Sequence, residues 1–173
     1  MELNSYSYSV EKKKEGSYLL KRRLMISAYV AYCVVFFLII YITRIFPLGA
    51  VIPLTLYIIY LFTWKYVSVE YKYTVEAGGF ALFRIYGGRK EKKLCELRIK
   101  GAKRIIPMSK FKDEIDAFSP KNVYDGRSSS TSDCAYAILF FENGVPSAVY
   151  IDAPEQSVKA LHYYNPDNTV KSV

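Results

Sequence analysis

Charge is what one long stretch of this 173-residue chain lacks: from Leu24 to Trp64 the one charged residue is Arg44. Pumps and ion pathways place carboxylates, histidines or paired charges within the bilayer. None occurs in 24–43 or 45–64, which argues against a transporter built from this chain alone. Cysteine is scarce too. Cys33, Cys95 and Cys134 form no C-x-x-C spacing, so a zinc centre or a disulfide framework has no support. Cys95 alternates with Leu97 and Ile99 and reads as a small core residue. Histidine occurs once, as His162, and the nearest acid in the same predicted helix is Glu155, seven residues back. A general base needs closer help, so His162 reads as a helix residue at the core edge. Ser128, Ser129 and Ser130 have no other histidine to call on, and no catalytic residue is assigned. Asp113, Glu114 and Asp116 read as a solvated face. Gly78-Gly79 and Gly87-Gly88 lie between strands, whereas a phosphate-binding loop lies between a strand and a helix. No metal site and no cofactor are expected.

What is present in that charge-poor stretch is length. Residues 24–43 and 45–64 are each 20 residues, roughly 30 Å as a helix at about 1.5 Å per residue, which matches a bilayer's hydrocarbon core. Backbone groups in lipid must be satisfied within their own segment, so two transmembrane helices, about 24–43 and 48–66, are expected. Pro47 and Gly49 mark the reversal between them, and Pro53 falls where a missing N–H is tolerated. Residues 1–23 are too long and too acidic for the front of a signal peptide, so the helices are expected to be permanent anchors.

Flanking charge orients the pair. Lys12, Lys13, Lys14, Lys21, Arg22 and Arg23 precede it, Lys65 and Lys72 follow it, and the turn holds Arg44 alone. Lysine and arginine resist translocation, which predicts a multi-pass protein of the cell membrane with both termini cytoplasmic. Arg22, Arg23, Trp64 and Lys65 are the expected membrane-interface residues, with Tyr41 and Phe46 at the other face. The formal net charge of +8 is spread over both parts of the chain and, beside a membrane, favours anionic lipid over nucleic acid.

Beyond the second span the pattern becomes alternating. Val67, Val69, Tyr71, Tyr73 and Val75 share one strand face, which argues for core and against a nucleic-acid surface. Gly78-Gly79 signals a turn, 80–86 a second strand, and Gly87-Gly88 another turn. A third strand carries Cys95, Leu97 and Ile99 inward, and 103–106 makes a short fourth. In 108–133, Phe111, Ile115 and Phe118 have helical spacing, 122–124 reads as an edge strand, and 127–132 as a polar loop. Strands at 135–141 and 145–151 flank Glu142-Asn143-Gly144. A helix over about 154–163 then places Val158 and Leu161 on the sheet, and Asn165-Pro166 stops it.

Antiparallel strands closed by one C-terminal helix follow the order of a pleckstrin-homology-like (PH-like) domain. The expected fold is therefore an α+β membrane protein. It comprises a basic cytoplasmic segment (1–23), a transmembrane helical hairpin (24–66) and a mostly antiparallel, cytoplasmic PH-like β domain (67–173). Tyr71-Lys72-Tyr73-Thr74-Val75, the basic stretch 87–93, Tyr124-Asp125-Gly126-Arg127-Ser128-Ser129 and Tyr164-Asn165-Pro166 carry a resemblance. The chain resembles two-helix membrane proteins of Gram-positive anaerobes with a bacterial PH-like domain after the hairpin, a family with no agreed activity. The resemblance implies the architecture and transfers no functional residue. In eukaryotic domains of this fold, phosphate-binding cations lie around the first hairpin, and here Ala77-Gly78-Gly79 has none.

Arg89, Lys90, Lys92 and Lys93, read as a basic hairpin tip, are the candidate lipid-binding residues, at about 1 kcal/mol per cation close to an anionic surface. The expected function is a non-enzymatic, membrane-anchored module that presents the PH-like domain for protein, lipid or self association. Its partners are the bilayer, anionic lipid head groups, and a protein partner or a second copy. The alternative is an accessory subunit of a transporter or signalling complex whose hairpin packs on partner helices. Neither span has a GxxxG; Ser27, Ala28 and Ala31 offer only a modest small-residue patch.

Overall fold

Alternation does become strand where it was expected. In the computed structural model, which describes residues 5–13, 15–64, 68–88 and 90–171, Tyr71, Tyr73 and Val75 form the buried face of β2 (Val69–Glu76). Ala77 and Gly78, both at positive φ (48° and 78°), turn the chain into β3 (Gly79–Tyr86). Gly87 and Gly88 lead on towards β4 (Lys90–Arg98), where Cys95 and Leu97 face inward.

The N-terminal segment corrects the expected boundaries. Residues 1–23 are not simply a basic tail, because Ser5–Glu11 is a strand, β1, paired antiparallel to β2 from Ser5↔Glu76 to Glu11↔Glu70. Its Ser-Tyr-Ser-Tyr-Ser-Val sequence has the period of two that a strand needs, and Tyr6 and Tyr8 pack against the core. Chain contacts divide the molecule into two compact units. One holds all the strands with the two C-terminal helices, so the domain does not begin at residue 67 but is split around the apolar segment. The other holds the two apolar helices.

Helix α1 (Gly16–Thr43) begins eight residues before the expected span, since Tyr18–Arg23 are good helix formers with no breaker among them. Arg44 ends it in a left-handed conformation (φ 56°), with its N–H on the Ile40 carbonyl. A 3-10 turn (Phe46–Ala50) leads into α2 (Val51–Thr63). Among the described residues only α1 is long and apolar enough to cross a membrane. The 13 residues of α2 span about 20 Å, short of the expected 48–66, because the proline- and glycine-containing turn absorbs its start. Within this unit, Tyr29 Oη meets Thr63 Oγ1, and Tyr32 Oη lies 2.5 Å from Thr55 Oγ1. Each threonine already donates to a backbone carbonyl of its own helix, so the tyrosines are the donors.

The other unit continues through β5 (Arg104–Pro107), α3 (Lys112–Phe118), β6 (Asn122–Gly126), β7 (Ala135–Glu142), β8 (Val145–Asp152) and α4 (Glu155–Tyr164). The sheets are ordered β1-β2-β3-β4 and β5-β7-β8-β6. Asn143 and Gly144, both at positive φ, form the β7–β8 turn. β6 is the expected edge strand, but it runs parallel to β8. Val158, Ala160 and Leu161 of α4 are buried against the core. At its foot Asn165 Nδ2 donates to the carbonyls of Ile99 (2.9 Å) and Ala102 (3.0 Å), which accounts for Tyr164-Asn165-Pro166 as a structural clasp.

Candidate functional site

The geometry of the first sheet decides which residues share a neighbourhood. β1 ends at Glu11 beside the start of β2 at Glu70. β3 returns to that same end, where the Gly87 N–H donates to the Ser68 carbonyl at 2.8 Å. β4 starts there as well. The basic residues of β4 and both ends of the apolar segment therefore occupy one end of the sheet, referred to below as the tether end. The connection of the first strand pair is the apolar segment itself; Ala77-Gly78 is the second connection.

Lys90, Lys92 and Lys93 lie on the exposed opening of β4 rather than on a tight tip, and Arg89 lies outside the described residues. Two acids temper them. Lys93 Nζ is 2.6 Å from Glu96, holding that carboxyl below its usual pKa, and Lys72 Nζ is 3.5 Å from Glu91. Among the described residues Lys90 and Lys92 have no carboxylate partner. Two further cations of the first sheet share one ring. Lys12 Nζ and the Arg84 guanidinium lie 5.9 Å and 5.2 Å from the centre of the Tyr71 ring. Sequence reasoning missed both. Arg84 has the inward parity of Phe80 and Leu82, and a cation on a core face is a signal that can be read.

The expected membrane-interface residues are in the other unit. Arg22 is half-buried and Arg23 exposed on α1; Trp64 packs on Tyr60 with ring centres 4.9 Å apart. Lys65 lies outside the described residues. At the opposite end of this helix pair Tyr41 and Phe46 are exposed.

A second cluster explains the Tyr124–Ser129 motif. Gly126 passes so close to Leu82 that a Cβ would sit 2.7 Å from its Cδ1. Arg127 returns to Asp125 through Nε (3.0 Å), Nη2 (2.9 Å) and its own N–H (3.1 Å), and its guanidinium lies 5.1 Å from the Tyr150 ring centre. Burial opposes the Asp125 charge, but the Arg127 hydrogen bonds outweigh it and hold the pKa below the usual range. The Tyr124 hydroxyl donates to Glu142 at 2.8 Å, a bond that with burial pushes its pKa up to about 12. Ser128 and Ser129 are buried within the expected polar loop. The Ser128 N–H donates to Asp152 Oδ2 at 2.6 Å, and its carbonyl accepts the Lys13 N–H at 2.9 Å. Backbone bonds, invisible in side-chain composition, explain why a run of small polar residues is buried.

Neither cluster places a nucleophile beside a base. Burial pushes the Cys95 thiol up to about 12 and the Tyr73 hydroxyl well above its ordinary value, which suits packing residues. Among the described residues no group of histidine, cysteine, aspartate and glutamate could hold a metal ion.

A family model described as Bacterial PH-like domain (DUF6106) matches residues 4–171. The match takes in β1 and both apolar helices as well as the later strands, so the split domain lies within the family's span. No curated protein and no solved structure matches the chain.

Proposed function

The chain belongs to this family of bacterial PH-like domains, and on that premise we propose that it is a non-enzymatic association module anchored in the cell membrane. The observation that carries the reading is the register pair Glu11↔Glu70. Two neighbours in one folded sheet lie on one side of any bilayer, so the segment between them crosses an even number of times. α1 supplies one crossing, and residues 46–64 supply the return. The same pairing speaks against a cleaved signal: cutting after α1 would remove β1 from the sheet. The lysine and arginine bias favours the cytoplasm for that side. The tyrosine–threonine bonds satisfy the hairpin's polar side chains internally, which favours a self-contained anchor over one that packs on partner helices.

At the membrane surface, Lys12, Arg84, Lys90 and Lys92 are the residues for anionic head groups; a protein segment or a second copy is the other kind of partner. Impermeant-thiol labelling in intact cells tests the anchor. Cysteines placed singly at Ser5 and Val170, in a Cys134→Ser background, are both expected to stay unlabelled, while one at Gly49 is labelled. Labelling at one terminus and not the other overturns the even crossing. Labelling at both termini overturns the cytoplasmic assignment. Neutral nanodiscs carrying the full chain should be captured by vesicles rich in phosphatidylserine, less so at high salt, and less with Lys90→Gln/Lys92→Gln. Equal capture by neutral vesicles removes the lipid reading.

A further inference from the structure

We propose that the outer face of the second sheet, beside α3, is a docking groove for an acidic, apolar peptide segment of another protein. This rests on the association-module reading and names the chemistry of its protein partner. Register places the residues. Leu139 of β7 pairs with Ala148 of β8, and Ala148 with Val123 of β6, so the three share one face. Phe141 and Pro146, themselves a pair, stand two residues along on that same face. α3 covers part of it, with Ile115 buried against Ala137, Leu139 and Ala148 and Phe118 packed at the edge. The rest is open. In the unit that holds the strands, the large apolar side chains exposed among the described residues are Val123, Phe141 and Tyr163, and two of these are on this face. A groove of about 440 Å³ lies there, its apolar lining Ala117, Phe118, Leu139, Phe141 and Pro146. That volume takes a small ligand or a few side chains.

Charge decides the occupant. Arg104 and Glu114, which also line the groove, satisfy each other at 2.8 Å. Lys103 Nζ instead lies 5.7 Å from the ring centres of both Phe118 and Phe141, which meet edge to face at 5.4 Å. Lys121, whose N–H donates to the Pro146 carbonyl at 2.8 Å, brings a second exposed cation to the same corner. Among the described residues neither lysine has a carboxylate partner. Glu142, next along β7, is taken by the Tyr124 hydroxyl. A peptide that lays an apolar side chain on the rings, with an acid beside it, meets an ammonium those rings already hold in place. Two copies meeting through this face bring their lysines together, which disfavours a homodimer here. Position disfavours lipid. The start of β7, at Ala135, is tied through Asp152 and Ser128 to Lys13, just beyond the tether end of β1. Phe141 is six residues further along the strand, roughly 20 Å at about 3.4 Å per residue.

Selection of random heptapeptides on the full chain in neutral nanodiscs tests the groove. Enriched sequences should combine Phe, Leu or Trp with Asp or Glu. Their binding should fall about tenfold or more with Phe141→Ser and with Lys103→Glu, and survive Lys103→Arg. Tyr163→Ser, at the exposed aromatic outside the groove, should leave it unchanged. Both groove positions are exposed, so thermal melting should find the variants folded. No enriched sequence, enrichment of basic ones, or binding indifferent to both Phe141→Ser and Lys103→Glu overturns the groove. Loss of capture by phosphatidylserine-rich vesicles in Phe141→Ser assigns the face to lipid and overturns it too. If the groove fails while such vesicles still capture the parent chain, the association module stands; failure of both kinds of binding overturns the module as well.

Discussion

Ser128 grips Asp152 with its backbone N–H at 2.6 Å while holding the Lys13 N–H on its carbonyl at 2.9 Å. One residue of a serine-rich loop thereby ties the strand before the apolar helices to the end of β8. Asp152 is buried, so Asp152→Ala strands a donor and should cost about 2 kcal/mol, with Asp152→Asn costing less because it keeps an acceptor. Urea titration of the full chain in detergent, followed by tyrosine fluorescence, measures the order. Equal stability of all three chains would contradict it.

The split of the domain predicts which fragments fold. A chain in which residues 14–67 are replaced by a short glycine–asparagine turn should give a folded, cooperatively unfolding PH-like domain, since Glu11 and Glu70 are already register partners. Residues 67–173 alone should aggregate or melt well below it, because β2 then presents an open edge beside Tyr71 and Tyr73. Size-exclusion chromatography and thermal melting distinguish the two.

In the helix pair the tyrosines are donors to threonines whose own hydroxyl protons are spent. Tyr29→Phe and Tyr32→Phe should each weaken the hairpin by about 0.6 kcal/mol, roughly additively, without altering helicity. Cross-linking between cysteines on α1 and α2 reports the loosening; an unchanged yield in the double variant would mean the bonds contribute nothing.

Asp125 gives the domain an acid-side dependence. Its pKa is lower folded than unfolded, so its contribution is fully present above about pH 4, the unfolded value, and fades as pH falls through the folded one. The carboxylate is half exposed, which limits the effect to less than about 1 kcal/mol. Asp125→Asn should flatten stability between pH 5 and about 2 relative to the parent; an identical pH profile would rule out the assignment.

Much of this architecture is legible in the sequence because burial writes a period into it. Tyr71, Tyr73 and Val75, Cys95 and Leu97, and Val158 and Leu161 all announce their faces, and Asn143-Gly144 announces its turn. β1 is hidden because three of its seven residues are serines and it stands sixty residues from its partner, beyond a segment whose hydrophobicity draws all attention. The parallel pairing of β6 leaves no local trace, since direction is set by a neighbour and not by the strand. At the candidate site the cations are visible but their neutralisation is not. Lys93–Glu96 is three apart in a strand, a spacing that ordinarily puts side chains on opposite faces, and Lys72–Glu91 depends on strand register. Arg84 signals itself only once its parity is compared with Phe80 and Leu82.

The position of β1 also sets an order of events during synthesis. It leaves the ribosome before the apolar segment, yet its partner strand is completed only at Glu76, so it must wait unpaired while that whole segment is made. Closing so long a loop has an entropic penalty that grows only slowly with length, and a formed helix pair shortens it further by bringing its two ends together. Pairing of the helices and closure of the sheet are therefore successive steps, with the first lowering the barrier to the second. A nascent chain stalled before residue 70 emerges should hold β1 open to proteases, and one long enough for residue 76 to have left the ribosome should begin to protect it.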